Sequence, residues 1–157
     1  MTLDATVVWL YTTAASLVFG ASIYEGLVVH PAWSRMPPES FVGFMGAPIS
    51  RMNIRAFWMP VAPLFALSGL GAWVVSRWAG SPTLPLTVSA VCAVSVVVWT
   101  LVYFRPTIER FLEGGGGNTS ASRLQSEARR WVLLNWIRVA MVAVSWWGAL
   151  RATVVHG

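Results

Sequence analysis

Two titratable side chains interrupt the first long apolar stretch of this chain. Glu25 and His30 stand five residues apart in "EGLVVHP", and Pro31 follows the imidazole directly. A carboxylate and an imidazole at one site can take up and pass on a proton near neutral pH, since imidazole titrates there. Polar groups recur where the other apolar stretches begin or end: Asn53, Arg55 and Trp58, then Arg105, then Asn135 and Arg138 in "NWIR". A guanidinium in apolar surroundings can stabilise a phenolate or enolate oxygen. These residue types predict acid–base work on a lipophilic aromatic compound arriving sideways from a bilayer. Glu25 and His30 would handle the proton, and Arg55, Arg105 or Arg138 would hold the anion.

Spacing constrains which groups can cooperate. Asn135 and Arg138 are three apart and share one helix face, which continues through Val142, Ser145 and Ala149. Glu25 and His30 would point about 140° apart on a continuous α-helix at about 100° per residue. Their joint use requires a break before Pro31, and a residue preceding proline is pushed out of the helical region. His30 is therefore expected to turn at the helix end. Each group also has a plainer reading. Arg55 and Arg105 can snorkel to a membrane interface, and His30 or Asn53 can cap a helix. Glu25 and Arg138 are embedded more deeply, where a charge costs ~2.5–3.5 kcal/mol on insertion scales. The economical solution is that they face inward and pair with each other.

Other chemistries find no support in the residues. One His, one Glu and one Asn fall short of the two or three His ligands that mark an ordinary metal site. HExxH, GxSxG, CxxC and phosphate-binding glycine loops are absent. His156, at the far end of the chain, cannot supply a second haem ligand. Metal and cofactor stay open. The single Cys92, in "SAVCAVSVVV", reads as a small apolar filler.

The elements that must position these groups are helices. The 157 residues are 56% hydrophobic and 11% charged, against about 25% charged in soluble domains. Four apolar segments run from about Thr6 to Val29, Ala56 to Ser76, Leu84 to Phe104 and Trp131 to Leu150. Each is close to the ~20 residues that cross a hydrocarbon core as a helix. The fold class is all-α, an integral membrane four-helix transmembrane bundle, with residues 1–157 forming a single domain. The leader "MTLDAT" carries Asp4 and no basic residue, which argues against a cleaved signal peptide. "RWAGSPTLP" predicts a tight turn between antiparallel spans, and "EGGGGNTSAS" a flexible connection.

The formal charge of +5 does not indicate nucleic acid, because the arginines flank apolar spans rather than one polar face. Eight of them lie in the first and third connections (Arg35, Arg51, Arg55, Arg105, Arg110, Arg123, Arg129, Arg130) and two on the other side (Arg77, Arg151). This bias predicts a plasma-membrane protein with those connections in the cytoplasm and both termini outside. The tryptophans near span ends, Trp33, Trp58 and Trp131 on one side and Trp9, Trp73, Trp78, Trp146 and Trp147 on the other, read as an aromatic belt. Ser16 with Gly20, and Ser145 with Ala149, permit close helix approach, within the chain or in a homo-oligomer; packing within the chain is favoured.

Three segments carry a family resemblance. "VFGASIYEGLVVHPAW", "RPTIERFL" and "ARRWVLLNWIRVAM" resemble small four-helix membrane proteins grouped as anthrone-oxygenase-like. That family's pattern places V-x-H-P after the first helix, P-T-N-x-x-L after the third and H-x-x-R at the start of the fourth. His30 and Pro31, Pro106, Thr107 and Leu112, and Arg138 match it. Ile108 stands in place of the Asn, and Asn135 in place of the second His. The resemblance implies oxygenation of a polycyclic phenolic substrate, an anthrone or hydroquinone. Two other classes stay open: a non-catalytic binding or transport protein for a hydrophobic anionic ligand, and an assembly protein held together by Glu25 and Arg138.

Overall fold

A computed structural model describes residues 2–80, 83–113 and 120–156, with the side chains of 48–55 and 156 outside the description. All regular structure among the described residues is helical. The helices are α1 (Leu3–Tyr24), α2 (His30–Arg35), α3 (Pro38–Gly46), α4 (Pro48–Trp78), α5 (Leu84–Trp99), α6 (Arg105–Leu112) and α7 (Ala121–His156). One π turn (Glu25–Val29) joins α1 to α2, and a second (Thr100–Phe104) joins α5 to α6. Thr2 and Thr83 cap α1 and α5 by accepting from the amides of Ala5 and Leu86, which satisfies donors that a helix start leaves free.

Four helical stretches are long and apolar enough to cross a membrane: Leu3–Arg35, Ala56–Trp78, Leu84–Leu112 and Ala121–Val155. This is an all-α, multi-pass membrane bundle. All four outrun the spans read from sequence, because the helix continues through the polar ends where hydropathy falls. α7 packs on α1 and α5, and α4 packs on the same two helices, so α1 and α5 occupy opposite corners. α4 and α5 run antiparallel about the turn at Gly80, whose φ of 75° suits glycine. Trp73 on α4 donates to Thr87 on α5 across it.

Two clusters form the interior. In the bundle, Val8, Ala15, Phe65, Ala93 and Val142 surround Tyr11, whose hydroxyl shares 2.7 Å hydrogen bonds with both Ser89 and Ser145. Such interhelical bonds contribute about 0.6 kcal/mol each in membrane bundles. The Asn135–Arg138–Val142–Ser145–Ala149 face is buried along its whole length. The second cluster lies at the end where both π turns sit: Trp33, Phe41, Met45, Phe104, Phe111 and Trp131. The connections expected around 30–55 and 105–130 are thus largely helical and carry a core of their own.

The outward faces are apolar. Leu67 is 68% and Val102 74% exposed, the distribution of a bundle solvated by lipid. Two packing expectations change accordingly. Gly20 is exposed, with nothing within 4 Å of an added Cβ, so it is not a close-packing position within the chain, whereas Ser16 meets α7 by accepting from Trp146 Nε1 at 3.1 Å. The close approach occurs at Gly148 instead, where a Cβ would stand 2.5 Å from the Pro85 carbonyl oxygen. Trp33 and Trp131 also leave the aromatic belt. Both are buried around His30, whereas Trp78 is 85% exposed.

Candidate functional site

Pro31 does not end the helix. His30 has helical backbone angles, φ −67° and ψ −36°, and its amide donates to the Glu25 carbonyl five residues back. Proline removes one amide donor and clashes with the carbonyl four residues earlier. Widening the preceding turn to i→i+5 bonding admits the ring without a break. The chain repeats the device: the Arg105 amide donates to the Thr100 carbonyl, and Pro106 follows. A break is therefore not what unites Glu25 and His30. The wider turn brings residues five apart toward one side, and His30 Nε2 lies 3.9 Å from Glu25 Oε2.

The two π turns face each other across a cavity of about 650 Å³. Its polar end is formed by Glu25, His30, Trp58, Thr100 and Arg138, and its body by apolar residues of α4, α5 and α7, including Phe65, Val96 and Val142. Arg138 is 8% exposed. Its Cζ lies 4.6 Å from the centre of the Phe104 ring and 5.7 Å from that of Trp58. Among the described residues its hydrogen bond goes to Thr100 Oγ1, at 3.4 Å. A guanidinium has five N–H donors, so most of its donor capacity is free of protein acceptors there.

The direct Glu25–Arg138 ion pair expected from sequence does not form. Trp58 stands between the two: its indole N–H donates to Glu25 Oε1 at 2.7 Å, and its ring faces the guanidinium. An aromatic ring with a donor edge and an electron-rich face can serve a carboxylate and a cation together. The charges remain within electrostatic reach of each other.

The remaining predicted residues divide. Asn135 lies behind His30, fully buried, with its amide nitrogen 3.1 Å from Nδ1. Arg105 lines the cavity at its exposed rim and pairs with Glu109 at 3.0 Å, so a direct role at the buried end is not seen. The side chains of Asn53 and Arg55 lie outside the described residues. Sequence reasoning missed Thr100, Phe104, Trp33 and Trp131. Thr100 had a signal: Thr100, Arg105 and Pro106 repeat the spacing of Glu25, His30 and Pro31. Among the described residues, no group of three or more His, Cys, Asp or Glu is placed to share a metal ion.

A membrane-spanning helical bundle with a deep, mostly apolar cavity and charged groups at one end defines the class. The family model described as anthrone oxygenase matches residues 52–147, more than half of the chain. The chain belongs to that family, which supports an oxygenase-type function. No curated protein and no solved structure matches it. The matched region contains Trp58, Thr100, Arg105, Asn135 and Arg138. Glu25 and His30 precede it and enter the site by geometry.

Proposed function

We propose that this protein is a membrane oxygenase for a lipophilic aromatic substrate, anthrone- or hydroquinone-like, of which an anthrone, a carbon acid, fits the site's chemistry best. One observation carries the reading: the buried Arg138 guanidinium lines a large, mostly apolar cavity beside a carboxylate–imidazole pair. The methylene of an anthrone is acidic because its conjugate base is an aromatic phenolate. Deprotonation at the Glu25–His30 pair breaks the C–H bond and leaves the electron pair delocalised onto an oxygen. Arg138 stabilises that oxyanion as it develops, in a largely apolar cavity where its charge acts more strongly than in water. Phe104 and Trp58 supply flat faces for the rings. Reaction of the anion with dioxygen, a second substrate, converts CH2 and O2 into C=O and H2O.

The cavity wall supports access from the bilayer. Met59, Leu67 and Leu101 all line it, yet are 62%, 68% and 53% exposed on the lipid-facing side. The arginine bias supports a plasma-membrane orientation with the polar end toward the cytoplasm and both termini outside.

Purified protein in lipid nanodiscs, given an anthrone, should consume oxygen in equal amount to the quinone formed. Arg138→Met should lower kcat by ~10²–10³, the usual effect of removing an oxyanion donor. A tightly bound lipophilic anion with no oxygen consumption would replace this reading with that of a binding or transport protein.

A further inference from the structure

We infer that Asn135 fixes the tautomer of His30 and thereby makes Glu25, not the imidazole, the proton acceptor of the site. The inference rests on the reading just given and divides its labour. Asn135 Nδ2 can only donate a hydrogen bond, and it stands 3.1 Å from His30 Nδ1. The Nδ1 lone pair is therefore taken, and the proton of the neutral ring resides on Nε2. That nitrogen points at Glu25 Oε2 across 3.9 Å, a gap of the kind that tightens when substrate closes a site. His30 is then a donor to the carboxylate, with no lone pair left for the cavity.

The surroundings hold this arrangement. His30 and Asn135 are each 1% exposed, so water does not compete for Nδ1. The Trp131 ring meets the imidazole edge-on at 4.9 Å and Trp33 packs at 5.1 Å, which stops the ring from turning over. Asn135 Oδ1 is buried without a partner among the described residues. Flipping the amide would satisfy it only if the proton moved to Nδ1. Nε2 would then present a bare lone pair to the Glu25 carboxylate, and two acceptors would face each other. An Oδ1 left without a partner among the described residues is consistent with Nε2–H aimed at Glu25. Glu25 and Arg138 are the charged groups that face the ring among the described residues.

The polar groups thus line up toward the carboxylate: Asn135 donates to His30, whose Nε2 faces Glu25 Oε2 at 3.9 Å, longer than a hydrogen bond, and Trp58 donates to the other oxygen. In the reaction the substrate C–H bond breaks, its electron pair passes to the oxygen at Arg138, and the proton lands on Glu25 Oε2. Glu25 is the catalytic residue; His30 and Asn135 are positioning residues.

The chain has two histidines, so ¹⁵N-histidine labelling in nanodiscs, with His156→Ala for assignment, reads the tautomer without any substrate. Wild type at neutral pH should show a protonated Nε2 and bare Nδ1 at His30. Asn135→Asp should move the proton to Nδ1 or charge the ring. An Nδ1–H tautomer or an imidazolium in wild type overturns the inference. So does a His30 signal unchanged in both Asn135→Asp and Asn135→Leu. In turnover, His30→Gln retains an N–H donor. It should lower kcat less than His30→Ala does and leave the acidic limb of the pH–rate profile in place, whereas Glu25→Gln removes that limb. Loss of the limb in His30→Gln would make His30 the base. Absence of any turnover would defeat the proposed function while leaving the tautomer measurement decisive.

Discussion

At the scale of single residues, Trp58 is the hinge of the site. It holds one oxygen of Glu25 at 2.7 Å and lays its ring beside Arg138 at 5.7 Å. Both charges therefore depend on one neutral side chain. Trp58→Phe keeps the ring but removes the donor. Hydrogen bonds to charged groups contribute ~1.5–3 kcal/mol, so this change should weaken turnover by about 10- to 100-fold while leaving the helical circular dichroism spectrum intact. The same geometry bears on Glu25 and Arg138. Because they do not touch, removing both should cost nearly the sum of the two single losses, with only a modest coupling through Trp58. Folded yields of the two single variants and the double variant measure this. A double variant much more stable than the sum would restore the direct pair.

At the scale of elements, two features decide the shape of the site. The first is the repeated π turn, which admits a proline after His30 and after Arg105 without ending either helix. The second is the close approach of α7 to α5 at Gly148. A methyl group there meets the Pro85 carbonyl oxygen and the Ser89 Cβ, at 2.5 and 2.8 Å. Neither backbone can yield without disturbing the Ser89–Ser145 bonds beside it. Gly148→Ala should destabilise the protein by ~1–3 kcal/mol, the usual cost of overpacking, read as a lower denaturant midpoint in detergent. Gly20→Leu, on the exposed face, should stay within ~0.5 kcal/mol of wild type. Spacing in the sequence offered Ser16 with Gly20 and Ser145 with Ala149 and did not single out Gly148, because spacing says which residues share a face and not what that face meets.

At the scale of the whole molecule, the cavity sits at the end of the bundle that carries most of the arginines. The proposed orientation puts that end in the cytoplasm. A cysteine introduced at Gly116 should then resist a membrane-impermeant thiol reagent in intact cells and react after permeabilisation. Ready labelling of intact cells would invert the topology and place the site on the outer leaflet.

Much of this molecule was legible in the residues alone. Hydropathy runs of about 20 residues require spanning helices, since lipid offers no other partner for backbone amides. The shared face of Asn135 and Arg138 follows from helical period, and a buried charge in apolar sequence implies a site or a pair. What tertiary structure alone decided was partner choice. Charge complementarity suggested that Glu25 would meet Arg138, but the indole of Trp58 comes from a third helix and intervenes. Proline rules predicted a break at His30. A π turn avoids it, because the His30 amide bonds five residues back to the Glu25 carbonyl and the wider turn admits the proline ring. Trp33 and Trp131 read as interface residues, yet they are buried in a cluster with residues of α3 and α6. For the charges and the tryptophans the residue's own chemistry was plain, and the deciding contact came from a segment distant in sequence, where no local pattern reaches.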